Sequence, residues 1–303
     1  MRRALLVLMV LLIAGAAGFW FLTAPRSLAE ADLPDHDPDL QNGETLFWAG
    51  GCASCHAAPG ASGDDLTRLG GGAELESPLG SFHVPNISPD PETGIGGWST
   101  ADFVNTLRFG VSPQGRHYYP SFPYASYQHI ALEDLIDLKA FMDTLPAVDN
   151  KVAPTALPFP FSVRRGIGLW KRLYANSPGF EDNPDLSAQE NRGAYLVRGP
   201  GHCGECHTPR TLLMGMDQSR WLAGAASLEG DGRVPDITPS PGGIGSWSAE
   251  DIAYYLESGF TPDYDVVGGA MAAVQVNWAN VPAEDREAVA AYLKAIPAQP
   301  SAD

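Results

Sequence analysis

The four cysteines of this 303-residue chain fall into two copies of one pattern, Gly51-Cys52-Ala53-Ser54-Cys55-His56 and His202-Cys203-Gly204-Glu205-Cys206-His207. Nothing else in the sequence restricts the fold as strongly. Two thiols three positions apart can add to the two vinyl groups along one edge of a porphyrin, and the histidine that follows is then brought beneath the iron. The pattern predicts two haem c groups, attached through Cys52, Cys55, Cys203 and Cys206, with His56 and His207 as proximal iron ligands. Four cysteines in an exported chain suggest two disulfides by default, but the doubled motif overrides that. A single zinc shared by two distant pairs leaves both histidines unexplained. A thioredoxin-like site needs a strand and a helix around one pair, which neither half shows.

The motifs head two similar halves. Cys52 and Cys203 are 151 positions apart; Val84-Pro85-Asn86-Ile87 then matches Val234-Pro235-Asp236-Ile237, and Gly94-Ile95-Gly96-Gly97-Trp98-Ser99 matches Gly243-Ile244-Gly245-Ser246-Trp247-Ser248. Each half reads as mainly helical. Helices are expected around Glu44 to Ala49 and Asn191 to Val197, after the Trp-Ser pairs where Ser99 and Ser248 can cap a first turn, and from about Leu132 to Leu145 and Ala283 to Ile296. The domain boundaries that follow are 1–25 for an N-terminal segment, 38–150 and 188–300 for the two haem domains, and 151–187 for a connection. Pro154 to Arg172 mixes prolines, aromatics and bases, which suits a linker packed on both domains or a contact surface for a partner.

Ala4 to Ala24 is an uncharged apolar run behind Arg2 and Arg3, long enough to cross a bilayer as a helix. The arginines would stay on the cytoplasmic side and Trp20 near the outer interface. The alternative is a signal peptide cut after Ser27-Leu28-Ala29, although signal cores are usually shorter than this run. Both readings place the remainder outside the cytoplasm, facing the periplasm, and the first anchors it to the cytoplasmic membrane. A formal charge of −17 argues against nucleic acid and against an anionic lipid surface as binding partners. It leaves a basic protein partner, or simple solubility.

An electron-carrying haem normally has both axial positions filled. In the second half Met271, in Val267-Gly268-Gly269-Ala270-Met271, is the expected sixth ligand, with Met214 and Met216 as competitors close to the motif. In the first half the matching residue is Phe122, which cannot bind iron. His117 is the first choice there, His83, His129 and Met142 are alternatives, and an open or water-ligated iron is a further one. Two histidines on the first haem would place its potential below that of a His/Met haem, because axial ligands set it.

Pro85-Asn86-Ile87-Ser88-Pro89-Asp90, Thr93-Gly94-Ile95-Gly96, Tyr119-Pro120-Ser121-Phe122-Pro123-Tyr124 and Gly201-His202-Cys203-Gly204-Glu205-Cys206-His207-Thr208-Pro209-Arg210 resemble the membrane-associated cytochrome c subunits of periplasmic alcohol, gluconate and aldehyde dehydrogenases, over nearly all of residues 40–303. The resemblance implies a mainly α fold of two tandem cytochrome c-type haem domains after an N-terminal transmembrane helix. It also implies electron transfer from a periplasmic dehydrogenase subunit to a quinone, a soluble cytochrome or a terminal oxidase. By the same likeness Trp98 and Trp247 pack near the haems and Arg210 pairs with a propionate. Those subunits typically carry three haem motifs where this chain has two, and methionine where it has Phe122. The competing expectation is a dihaem enzyme, peroxidase-like or acting on sulfur compounds, with an open site in the first domain.

Overall fold

Each half is organised by the crossing of its first and last long helices. The computed structural model describes residues 2–77, 80–227 and 232–300. Behind the apolar α1 (Arg2–Leu22), the first half contains α2 (Leu40–Ala49), α3 (Cys52–His56), α4 (Thr100–Phe109), α5 (Tyr124–Tyr127) and α6 (Leu132–Met142). After α7 (Ile167–Tyr174) the second half repeats the plan with α8 (Ala188–Arg198), α9 (Gly204–His207), α10 (Ala249–Ser258), α11 (Ala270–Trp278) and α12 (Ala283–Ala295). Among the described residues each half has one antiparallel pair of two-residue strands. β1 (Glu74–Leu75) faces β2 (Phe82–His83) with Glu74 opposite His83, and β3 (Ala225–Ala226) faces β4 (Arg233–Val234) with Ala225 opposite Val234.

The helix starts and stops follow from local chemistry. Ser99 and Ser248 accept from the amides of Asp102 and Asp251, whose carboxylates return the bond, so both α4 and α10 open with the expected reciprocal cap. Both end on a glycine in the left-handed region, Gly110 and Gly259. The closing helices α6 and α12 begin where acidic residues meet the positive helix end and stop before Pro146 and Pro297, α6 three residues earlier than the sequence suggested.

In the crossings, α2 lies on α6 and α8 on α12. Glycine lets the backbones touch. A Cβ on Gly43 would stand 2.3 Å from the Asp137 carbonyl oxygen, and one on Gly193 only 1.9 Å from that of Ala288. Around these crossings Leu46, Phe47, Val104 and Leu135 are buried in the first half, and Leu196, Val197, Val281 and Ala290 in the second. They belong to one apolar cluster that runs through both halves, so the duplicated modules share a core.

The connection is a structural element in its own right. Lys171 of α7 is buried, and its Nζ donates to the Phe109 and Gly110 carbonyls at 2.6 and 2.7 Å, at the negative end of α4. It also lies 4.5 Å from the centre of the Tyr124 ring. The turn bridged by Val111 and His117 is covered in this way by α7 and the end of α1. The same turn in the second half, bridged by Phe260 and Val266, leaves Phe260, Tyr264 and Val266 exposed.

Candidate functional site

The two motifs fold alike. Gly51, in the left-handed region at φ 60°, turns the chain from α2 into α3, and one helical turn then carries Cys52, Cys55 and His56 on successive levels. In the second half α9 does the same for Cys206 and His207, with Cys203 at its cap. None of the four cysteines is in a disulfide. Burial pushes the Cys52 and Cys203 thiols up to about 12, with the neighbouring thiol of each pair adding to it. Among the described residues no group of three or more His, Cys, Asp or Glu side chains is gathered as a bare metal ion would require, so the pairs do not converge on one zinc.

The histidines are held by the part of the repeat that sequence reasoning left without a role. His56 Nδ1 lies 2.8 Å from the Pro85 carbonyl oxygen, and His207 Nδ1 lies 2.8 Å from that of Pro235. A carbonyl only accepts, so Nδ1 carries the proton in both rings and Nε2 keeps its lone pair. The amides of Gly71 and Gly224 donate back to the His56 and His207 carbonyls at 2.8 Å, locking each Pro-containing loop to its motif. Burial draws the His56 imidazole down to about 4, against the pull of the Pro85 carbonyl, and burial lowers His207 as well. Both rings are therefore neutral at ordinary pH. A neutral imidazole oriented through Nδ1 by a carbonyl is the state in which histidine binds a metal through Nε2. Two thiols and one such imidazole, repeated, fit two covalently attached haems.

The attachment turns are backed by the opposite half. Asn277 of α11 donates to Ser54 Oγ at 2.8 Å, between the two thiols of the first motif. Ser126 of α5 donates to Glu205 at 3.0 Å, between those of the second. His202 Nε2 donates to the Gly50 carbonyl at 3.2 Å, joining the residue before Cys203 to the approach of the first motif. The repeat thus places the two motifs side by side, each closed by the other half's short helix.

The remaining predicted residues are placed as follows. Met271 is the second residue of α11, half-buried and packed against the core. Met216 lies with its sulfur beside Gly204 inside the attachment turn, and Met214 is exposed. Trp98 and Trp247 are half-buried at equivalent edges of the core, Trp247 with its ring 5.4 Å from that of Tyr255. Arg210 is bound to Glu205, at 2.7 Å from its carboxylate and also to its carbonyl. Phe122 sits within a ring of Tyr118, Tyr124 and Tyr127, at centroid distances of 6.2, 5.9 and 5.6 Å.

His117 does not suit the role of sixth ligand. Its Nε2 donates to the Thr23 carbonyl at 2.9 Å and its Nδ1 accepts from Lys171 Nζ at 3.1 Å, so neither ring nitrogen has a lone pair for iron. Its buried place is at the end of α1. The spacing of five residues before Phe122 carried no information about a partner 94 positions away.

Residues 40–146 match the family model described as cytochrome c. A protein named diheme cytochrome c-type, from Cereibacter sphaeroides, is 54% identical over 299 residues, covering 98% of this chain and 99% of its own. The fructose dehydrogenase cytochrome subunit of Gluconobacter japonicus is 38% identical over 271 residues, 87% of this chain and 54% of its own. The cytochrome c subunit of the quinone alcohol dehydrogenase of Gluconobacter oxydans is 34% identical over 288 residues, 90% of this chain and 58% of its own. The chain spans little more than half the length of these two dehydrogenase subunits.

Proposed function

Since the chain belongs to the cytochrome c family, we propose that it is the electron-transfer subunit of a periplasmic dehydrogenase, with two haem c groups and no substrate chemistry of its own. The observation that carries this is the doubled site: a thiol pair and a neutral histidine oriented by a proline carbonyl, once in each half. Cys52, Cys55 and His56 would hold one haem and Cys203, Cys206 and His207 the other. A haem so held supplies a one-electron ferric/ferrous couple.

The protein's own residues keep that couple from requiring large rearrangement. The Pro85 and Pro235 carbonyls fix the ring planes of His56 and His207 and raise their strength as ligands. Met271 is proposed as the sixth ligand of the second domain, its backbone set by the first turn of α11. In the first domain Phe122 stands at the matching place, and with His117 engaged elsewhere no sixth ligand is assigned there. Asn277 with Ser54, and Ser126 with Glu205, hold the two attachment turns at a fixed separation, the condition for transfer within the chain. The family relatives that are dehydrogenase cytochrome subunits support the donor; quinone, soluble cytochrome and terminal oxidase are the proposed classes of acceptor.

The apolar helix α1 is proposed to remain as an anchor in the cytoplasmic membrane, with the haem domains facing the periplasm. Its most apolar 18-residue stretch has a mean hydropathy of 2.6, and none of that stretch is buried. Its last turn is gripped by the folded body: Arg165 donates to the Trp20 carbonyl, Arg172 to that of Leu22, and His117 to that of Thr23. A removed leader would leave those donors without partners.

The test is a denatured intact mass together with reduction by a dehydrogenase. The expected mass is that of the full chain plus two haems, falling by one haem when both cysteines of one motif are replaced. Substrate added to the co-purified dehydrogenase should reduce both haems. A bare polypeptide mass, or a protein that turns over peroxide and is not reduced by any dehydrogenase, would overturn the proposal.

A further inference from the structure

We propose that α7 and the turns on either side of it form a second membrane contact, an apolar face that rests in the headgroup region of the outer leaflet beside the anchor. This rests on the reading of α1 as a retained anchor.

The first observation is that α7 is inside out for a helix facing water. Its inward side carries Lys171, buried and bonded to carbonyls, while its outward side carries Leu169 and Leu173, the latter 65% exposed. A surface helix on a soluble body shows the opposite arrangement. The face continues at both ends. The turn just before it exposes Phe159 (82%), Phe161 and Val163. On the other side, Trp170 Nε1 donates to the Leu213 carbonyl at 2.8 Å and Tyr174 bonds Thr211 at 2.9 Å, which fastens the exposed Leu212, Leu213 and Met214 against the helix. Contiguous apolar exposure of this kind marks a contact site.

The second observation fixes the depth. Gly168 meets the anchor so closely that a Cβ there would be 2.7 Å from the Thr23 Cα. Arg165 stacks 4.0 Å over the Trp20 ring and donates to its carbonyl at 2.6 Å. The helix α1 has 21 residues, about 32 Å at the α-helical rise, close to the roughly 30 Å of hydrocarbon it must cross. Its last turn therefore lies at the outer boundary of the hydrocarbon, and α7, packed across that turn, lies at headgroup depth.

The third is charge. The net charge of −17 disfavours an anionic lipid surface for the chain as a whole, but Arg164, Arg165 and Arg172, three of its 19 basic residues, gather beside this face. Arg164, Arg165 and Arg172 make their described hydrogen bonds to carbonyls and a hydroxyl, not to carboxylates, whereas Lys171 is turned inward and buried. The positive charge of the three arginines is thus left for an anionic surface. Apolar side chains flanked by bases at the interface are what an amphipathic segment uses to lie in a lipid surface. The occupant is phospholipid.

The test uses the full-length holoprotein in nanodiscs of zwitterionic and anionic phospholipid, with one nitroxide attached through Leu173→Cys or Leu213→Cys; the native cysteines are consumed by haem. The expected result is oxygen contact with the label and at least threefold less contact with a water-soluble nickel complex than for a label at Glu284→Cys, in the second domain. A label at Leu11→Cys reports the anchor separately. If Leu11 is in lipid while Leu173 and Leu213 match Glu284, the second contact is refuted and the anchor stands. If Leu11 is in water, or the denatured mass lacks residues 1–22, the anchor reading fails and takes this proposal with it. Labels at Leu173 that stay aqueous in lipid but become shielded on adding the dehydrogenase would assign the face to protein and refute the lipid assignment.

Discussion

Replacing Gly193 by alanine should destabilise the second domain and disturb its haem site, although alanine is the better helix former. The added Cβ would stand 1.9 Å from the Ala288 carbonyl oxygen, 2.5 Å from its carbon and 2.8 Å from the Tyr292 Cβ. Contacts below 3.0 Å do not persist, so α8 and α12 must part by about 1 Å or more, and the obstacle is backbone. Overpacking of this kind costs about 1–3 kcal/mol, and helix propensity returns about 0.5–1 kcal/mol. A net loss of about 1 kcal/mol lowers the thermal midpoint by about 4 °C for a domain of this size. Because α8 leads within five residues into Cys203, the same movement should shift the second haem's spectrum before global unfolding. The measurement is thermal unfolding of the detergent-solubilised holoprotein, followed by far-ultraviolet circular dichroism and Soret absorbance. Gly166→Ala serves as the control, since φ is −60° there and nothing lies within 4 Å; it should be neutral or slightly stabilising. An unchanged midpoint for Gly193→Ala would refute the claim that glycine is required by the approach of the two backbones.

Met271→His should lower the potential of the second haem and abolish the near-infrared band of methionine-ligated ferric haem, checked by redox titration; an unchanged band removes Met271 from the iron. Glu205→Ala takes away the partner of Arg210 and the acceptor of Ser126, and should cost about 1–2 kcal/mol in denaturant unfolding. His36 donates to Asp137 at 2.7 Å, and this bond raises the histidine above its usual 6.5. The proton favours the folded chain, so the contact is fully present below about pH 6.5 and is lost as the pH rises through the raised value. A proton NMR titration of His36 should show that midpoint, and Asp137→Asn should return it to the ordinary range.

The chemistry of the site was legible because it is written locally. Two thiols and a histidine within five residues need no tertiary information, and the serine caps at Ser99 and Ser248 are set by a residue three positions on. Apolar residues at helical spacing likewise located α6 and α12. What sequence reasoning missed depends on distant partners. The Val84-Pro85-Asn86-Ile87 repeat was visible as a repeat, but its task, offering a carbonyl to a histidine 29 positions back, becomes apparent only in the fold. His117 looked like a ligand because it is a histidine near Phe122; its partners, Thr23 and Lys171, lie 94 and 54 positions away. The helix α7 escaped notice for a similar reason, since its leucines point outward and its lysine inward, against the pattern that marks a surface helix.

Duplication supplies two similar modules, and this chain has sealed one turn of the first with its own connection and the end of its N-terminal helix. Lys171 and Thr23 occupy the turn at Val111 and His117, while Phe260, Tyr264 and Val266 leave the corresponding turn bare. A macromolecule that reads this turn finds it accessible in the second module and covered in the first. The two halves of one repeat are thereby made inequivalent to the outside: this turn is closed in the first and open in the second.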